Sequence, residues 1–254
     1  MSKKDDPSKG RGLLLARMRR TLNIKQVMEH PVPILCLDVA VKKTGHMMMY
    51  NDFSIEENEL PQLVPLYDDF AAQWNFSQTL DCTQLDMLRN ALWPDVQLRL
   101  DYFKNELRII IQKYEAKLSQ KGLRTNLGLK FLAVESVFIH RLHMSSALPL
   151  ARFQNAAIQV AQEFNYLPYE YANTEVKGLL EVKGQKEYVV PMVNEMYNIQ
   201  IPTKANTPNK TLAYYESFTH VGDAIGLGYL HSFCLRELAN ESKPVVQQGS
   251  KQSL

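Results

Sequence analysis

The stretch 124–164, RTNLGLKFLAVESVFIHRLHMSSALPLARFQNAAIQVAQEF, constrains the fold more than any other part of this chain. Residues 124–131 alternate between polar and apolar side chains, which predicts a strand with one buried face. Over 132–143 the apolar residues fall at helical spacing and predict a helix of about three turns. Two serines then interrupt the pattern, and a second amphipathic helix is predicted to end near Phe164. The stretch therefore predicts one strand followed by two helices.

This order of elements is typical of a ribbon-helix-helix unit that binds DNA. In such a unit two subunits pair their strands into an antiparallel ribbon, which fits the major groove. One chain supplies a single strand, so this interpretation predicts a homodimer. It also places the start of the second helix near phosphate, where free backbone amides favour an anion. The residues of this stretch that we expect to contact DNA are Arg124, Thr125, Asn126, Lys130, Ser145 and Ser146.

The same pattern has an ordinary structural explanation. A strand followed by two helices occurs in many α+β domains, and a polar strand face is often only solvated. Gly128 lies in mid-strand, where it offers no side chain for base contacts. The turn between the helices also lacks a glycine, which would end the first helix more cleanly. The pattern leaves both explanations open.

Charge is segregated along the chain, although the formal net charge is only +2. Residues 1–26 carry eight basic side chains against two acidic ones, and residues 51–101 carry ten acidic against two basic. A basic arm is typical of phosphate contact, whereas an acidic block is expected to face away from nucleic acid or to meet a protein. Both the basic arm and the acidic block are also explained as solvated surfaces without a partner. The basic side chains that we expect to contact DNA are Arg17, Arg19, Arg20 and Lys25.

No motif for catalysis or cofactor binding stands out in the sequence. His140 and His143 have helical spacing but no nearby acid to complete a metal site. His220 and His231 are too far apart in sequence to form a recognisable motif. The glycines of VGDAIGLGYLH (221–231) match neither the dinucleotide fingerprint nor the P-loop, and close helix packing explains them more simply. We therefore predict that the protein is not an enzyme and has no catalytic residue, metal or cofactor.

Cysteine usage and hydropathy indicate a cytoplasmic protein. Cys36, Cys82 and Cys234 are far apart and lie among apolar or helical residues, which is typical of reduced core thiols. No apolar run approaches the roughly 18 residues of a membrane span. The apolar residues 13–15 are too few for the core of a signal peptide. We expect no membrane partner.

The remaining elements are predicted from composition and periodicity. A buried strand is expected at 34–41, a long amphipathic helix at 94–121, and a last helix at about 222–240. The predicted fold class is α+β and mostly helical, with a ribbon-helix-helix-like unit, additional helices and a small sheet. The predicted regions are a disordered basic tail (1–12), an N-terminal helical and β region (13–123), the ribbon-helix-helix-like unit (124–167), a C-terminal extension (168–240) and a polar tail (241–254).

The segments TNLGLKF, AVESVFIHRLHM and SSALPLARFQNAAIQVAQEF, preceded by a basic start and a long helix, resemble the AcaB-like regulators of conjugative plasmids and integrating conjugative elements. The resemblance implies a dimeric transcriptional regulator of conjugative transfer genes, which binds specific double-stranded DNA through its ribbon. By position it implies base contacts from Asn126 and Lys130. The sequence leaves one alternative, a structural or adaptor protein that binds protein partners through its acidic block and long helix.

Overall fold

The computed structural model describes residues 15–41, 43–53, 77–81, 92–120, 128–137, 144–180, 189–209 and 212–241. The strands in these ranges are β1 (Pro33–Asp38), β2 (Lys43–Tyr50), β3 (Ser77–Asp81), β4 (Lys130–Glu135) and β5 (Tyr166–Tyr171). The helices in the same ranges are α1 (15–21), α2 (Ile24–Met28), α3 (Leu92–Gln120), α4 (Met144–Glu163), α5 (Asn173–Leu179), α6 (Val189–Tyr197) and α7 (Leu212–Glu241).

The five strands form one mixed sheet in the order β3-β2-β1-β4-β5. β1 is antiparallel to β2, and β2 to β3, whereas β4 runs parallel to both β1 and β5. Parallel neighbours need a crossover connection, and α4 lies in the one between β4 and β5. β1 lies in the middle of the sheet and is buried along its whole length. Burial on both faces explains its unbroken apolar run before Asp38.

Helices cover both faces of this sheet, so the protein has two hydrophobic cores. On one face α7 packs against alternate side chains of the central strands, such as Cys36 and Met49. On the other face α3 and α4 cover the intervening side chains, such as Leu35. There Phe103 of α3 packs against Phe153 of α4, with ring centroids 5.2 Å apart. The two cores follow from the alternation of side chains along each strand.

Close packing of α7 explains the glycines of the 221–231 segment, as predicted. A β-carbon at Gly228 would lie 3.0 Å from the Met49 sulfur and would overlap the Cys36 sulfur. A β-carbon at Gly226 would lie 2.8 Å from Cγ1 of Val176. The glycines therefore let the helix approach the sheet and α5, and they do not form a phosphate-binding loop.

The ribbon-helix-helix prediction is wrong. That unit needs a strand that pairs with a second subunit, but β4 lies inside the sheet between β1 and β5. Residues 132–135, which the sequence assigns to the first helix, continue the strand. Residues 131–134 of this strand are fully buried. A strand buried on both faces has a continuous apolar run, which periodicity alone does not distinguish from a buried helix.

Other predicted elements are confirmed in type. The buried strand near 34–41, the long helix near 94–121 and the helix that ends near Phe164 correspond to β1, α3 and α4. The last helix begins at Leu212 rather than near 222. The predicted small sheet is instead one sheet that takes strands from both the 13–123 and the 124–167 regions. None of the helices in the described ranges combines the length and apolar composition needed to cross a bilayer.

Candidate active site

Two carboxylates end neighbouring parallel strands. Asp38 is the last residue of β1, and Glu135 is the last residue of β4. The register that pairs Leu37 with Val134 puts these two acids level with each other. The residues two positions earlier in each strand belong to the core beneath α7, and alternate residues of a strand share a face. Both carboxylates therefore lie at the same edge of the sheet, on the side covered by α7.

The helix α7 adds a histidine and a third acid at this edge. His220 Nδ1 lies 2.6 Å from Asp38 Oδ2, and their side chains are 23% and 7% exposed. Asp223 follows three residues later on the same helix, so it lies on the same side as His220, and it is buried. A charged side chain is rarely buried without partners. The structure thus brings Asp38, Glu135, His220 and Asp223 to one end of the sheet.

Gly45 allows α7 to come this close to the sheet. It is the residue of β2 that pairs with Asp38. A β-carbon here would overlap the backbone carbonyl of His220 and would lie 2.7 Å from the amide nitrogen of Val221. Because both neighbours are backbone atoms, a larger residue at this position must displace either β2 or α7. Glycine at position 45 is therefore a geometric requirement of the contact between Asp38 and His220.

A buried glutamine holds the chain immediately after Glu135. The side-chain carbonyl of Gln154 accepts a hydrogen bond from the Val137 amide at 3.3 Å, and its amide nitrogen donates to Glu170 at 2.8 Å. The amide of residue 136 donates to the carbonyl of Tyr171 at 2.8 Å. The helical periodicity of the sequence predicts that Gln154 lies on the outside of its helix, but the structure shows it buried. Gln154 thus connects α4, β5 and the end of β4.

The chemistry of these side chains fits a divalent cation bound together with a substrate. Carboxylate oxygens are the ligands that Mg²⁺ prefers, and Mg²⁺ is usually held by one or two carboxylates together with water and substrate phosphate. Within the described ranges, no three or more His, Cys, Asp or Glu side chains are already gathered as a metal site. Asp38 and Glu135, level with each other at the ends of β1 and β4, are two carboxylates of the kind that Mg²⁺ prefers.

Among the side chains of the predicted DNA-binding face, the structure describes that of Lys130. Lys130 starts β4, where its Nζ lies 2.9 Å from Glu115 Oε1 and 4.8 Å from the centre of the Tyr166 ring. The Lys130 side chain therefore faces α3 within the same chain. Arg124, Thr125 and Asn126 lie outside the described residues, as do His140, His143 and the side chains of Ser145 and Ser146. Their roles stay predictions.

The predicted basic arm is described from residue 15 onward. The guanidinium of Arg17 lies 5.3 Å from the centre of the Tyr169 ring, and Arg19 forms an ion pair with Glu241 at the end of α7. Arg20 and Lys25 are exposed. These four residues lie together on α1 and α2, and their contact with DNA stays a prediction.

Three residues of the candidate site, Asp38, His220 and Asp223, have positions in the sequence that are compatible with a functional site. Asp38 follows the apolar run of a buried strand and is its last residue, which is a common position for functional carboxylates in α/β proteins. His220 and Asp223 have the spacing of neighbours on one helix face. His231 does not belong to this site, because it lies deep in the core with Nδ1 2.5 Å from the Tyr171 hydroxyl.

The fold and the site define a layered α/β protein with a carboxylate and histidine cluster at the carboxyl ends of two parallel strands. No protein-family model and no curated protein matches the sequence. One similar solved structure is Thermus thermophilus RuvC in complex with a Holliday junction substrate, with 15% identity and a TM-score of 0.49 over 81% of this chain and 96% of that chain. Another is Thermus thermophilus RuvC, with 13% identity and a TM-score of 0.44 over the same shares. This degree of likeness does not assign an activity.

The matched structures are RuvC and not ribbon-helix-helix regulators. The fold overturns the AcaB-like resemblance and the transcriptional regulator of conjugative transfer genes that it implied. The candidate active site takes the place of the structural or adaptor protein. The regulator lacks its physical basis because β4 has partners on both sides within the sheet. The prediction that the protein is not an enzyme is wrong as well. It relied on the absence of a cluster in the sequence, and folding brings together side chains that the sequence separates.

Proposed function

We propose that the protein is a metal-dependent nuclease that hydrolyses phosphodiester bonds in DNA. The observation that carries this proposal is the meeting of Asp38, Glu135 and Asp223 with His220 at one end of the sheet. Neighbouring carboxylates such as Asp38 and Glu135, which are level in adjacent strands, repel each other unless a cation or proton is shared between them. A DNA phosphate is an anion that also needs a cation before it can approach such a cluster.

The residues that would hold the cation are Asp38, Glu135 and Asp223. When bound, a divalent cation neutralises charge on the phosphate and makes a water molecule more acidic. Asp38 has a second role, because it accepts a hydrogen bond from Nδ1 of His220 and so fixes the orientation of the ring. The other ring nitrogen, Nε2, is then the one that can accept a proton from water.

Basic residues outside the site support nucleic acid as the substrate. The predicted arm at 1–26 has an excess of positive charge, and its exposed members Arg20 and Lys25 can contact phosphate. The homodimer stays part of the proposal, but not through paired ribbon strands, because β4 already has a neighbour on each side. Because one similar structure is described with a Holliday junction substrate, a four-way DNA junction is the first substrate to test.

The test is cleavage of end-labelled four-way junction, duplex and single-stranded DNA, in Mg²⁺ and in EDTA. We expect Mg²⁺-dependent cleavage that falls by roughly a hundredfold or more in Asp38→Asn, Glu135→Gln and Asp223→Asn. Asp101→Asn is the matched control, because Asp101 is an exposed acid on α3 away from the cluster. Each variant is first shown to unfold cooperatively in urea. Equal cleavage by the control and the three site variants would rule out the cluster as the active site.

A further inference from the structure

A second polar pocket lies on the opposite face of the sheet from the candidate active site. Its volume is about 370 Å³, and it is lined by His46 of β2 and by Lys113, Tyr114, Lys117 and Gln120 of α3, among others. This volume lies within the range of roughly 300–1,000 Å³ that is typical of small-molecule sites. His46 pairs with Leu37, whose side chain belongs to the core under α3 and α4 and not to the core under α7. The pocket is therefore separate from the carboxylate cluster.

His46 supplies a buried polar atom that has no hydrogen-bond partner. Its Nδ1 lies 2.9 Å from the hydroxyl of Tyr114, and its Nε2 is buried with no partner among the described residues. Burial raises the pKa of Tyr114 well above its usual value, so the hydroxyl keeps its proton and can donate it to Nδ1. Burial, with the charge of Lys113, lowers the pKa of His46 to about 3. When the Tyr114 hydroxyl donates to Nδ1 of the neutral ring, the ring proton is on Nε2, which is then a hydrogen-bond donor.

Two lysines line the outer part of the pocket. Lys113, Lys117 and Gln120 follow each other at helical spacing along one side of α3, with Lys113 and Gln120 exposed to solvent. The described residues that line the pocket include two ammonium groups and no carboxylate. The ring N–H of His46, the ammonium groups and the amide of Gln120 are all donors. A ligand that matches this lining is an anion rich in acceptor oxygens.

We propose that this pocket binds a phosphate group, with the Nε2–H of His46 and the ammonium groups of Lys113 and Lys117 as its donors. Lysine is a common phosphate ligand because its ammonium group offers three donors and a full charge. The phosphate can belong to a small molecule that is free in solution or to the backbone of DNA. The proposal does not depend on nuclease activity, since it concerns the other face of the sheet.

The test follows the His46 ring directly. The protein is labelled with ¹⁵N in its histidine rings, the His46 signal is identified by its loss in His46→Phe, and EDTA is present throughout to remove divalent cations. Inorganic phosphate and a short DNA duplex are titrated separately into the wild-type protein and into Lys113→Gln and Lys117→Gln. Lys104→Gln is the matched control, because Lys104 lies on the same helix but does not line the pocket.

We expect a saturable shift of the His46 Nε2 signal, with affinity reduced roughly tenfold in each pocket variant and unchanged in the control. A response to inorganic phosphate supports a free phosphate ligand. A response to the duplex alone supports the DNA backbone, and each pocket variant should then lower the salt slope of duplex binding by about 1. If neither probe moves the His46 signal, or if the pocket variants respond like the control, the proposal is overturned. A protein that binds phosphate here but cleaves no DNA would refute the proposed function and leave this site intact.

Discussion

Replacement of Gly45 by alanine tests the packing of the candidate active site directly. The added methyl carbon would overlap the carbonyl of His220 and would lie 2.7 Å from the amide nitrogen of Val221, where ordinary contact begins at 3.4 Å. The backbone of β2 or α7 must therefore move by roughly 0.7 Å to clear Val221 alone, and further to clear His220. No side-chain rotation relieves the overlap, because both neighbours are backbone atoms. This displacement would change the 2.6 Å contact between His220 and Asp38.

Overpacking of this kind costs about 1–3 kcal/mol, and overlap with backbone favours the upper part of that range. We expect Gly45→Ala to lower the free energy of unfolding in urea by this amount. Mg²⁺-dependent cleavage should fall further than the loss of folded protein explains, because the site is displaced in the molecules that remain folded. Both quantities are measured on the same preparation, with the folded fraction calculated from the urea curve.

The matched control is Gly178→Ala. Gly178 lies in α5, and a β-carbon there meets no atom within 4 Å. Alanine is favoured over glycine in a helix by about 0.5–1 kcal/mol, so this variant should be as stable as the wild type or more stable. If Gly45→Ala matches the control in both stability and cleavage, the close approach of α7 to β2 is not a requirement of the site.

Three further predictions follow from individual contacts. Burial lowers the pKa of His231 to about 3, so between pH 6.5 and pH 3 the unfolded chain binds a proton that the folded chain does not. As the pH falls through this window, His231 alone should lower the free energy of unfolding by up to about 1.4 kcal/mol per pH unit, and His46 adds a fall of the same sign. Urea unfolding at several pH values should therefore show a weaker pH dependence in His231→Phe than in the wild type. Gln154→Leu removes the hydrogen bonds that hold the chain after Glu135. It should lower the free energy of unfolding in urea by about 1–3 kcal/mol and should also reduce cleavage. Unchanged cleavage would contradict the positioning role of Gln154. Glu163→Gln breaks the exposed ion pair with Arg108, in which the two hydrogen bonds measure 2.7 and 2.8 Å. The free energy of unfolding should fall by less than about 1 kcal/mol, and the difference should disappear near 1 M salt. A larger fall that persists at high salt would argue against a screened surface pair.

The elements predicted correctly from the sequence are those with a local signal. The helix α3 has a proline in its first turn, and it buries Phe103, Leu107 and Tyr114 along one side. The strand β1 has a continuous apolar run that is bounded by a proline and by lysines. In both cases neighbours in sequence determine the pattern, so no knowledge of distant partners is needed.

The candidate site could not be predicted in the same way, because strand register and helix packing assemble it. Asp38 and His220 are 182 residues apart in sequence and 2.6 Å apart in the structure. Glu135 comes level with Asp38 only because β4 is parallel to β1 in one particular register. Each acid alone looks like an ordinary charged residue at the end of an element. The glycine that permits the contact, Gly45, gives no sign in the sequence of which helix lies above it.

A strand followed by a helix is compatible with two architectures, and the segment after α4 distinguishes them. A ribbon-helix-helix unit needs no further strand, whereas a parallel strand-helix-strand unit must return to the sheet. Tyr166–Tyr171 returns as β5, with Tyr166, Tyr169 and Tyr171 buried, although Pro168 argues for a break. Proline removes one backbone donor, and this is tolerated at the edge of a sheet, where one side of the strand has no neighbouring strand to pair with. β5 ends the order of the described strands, so the proline is compatible with it. Once β5 is a strand, β4 must run parallel to it beneath a crossover helix, and its last residue, Glu135, arrives at the same end of the sheet as Asp38.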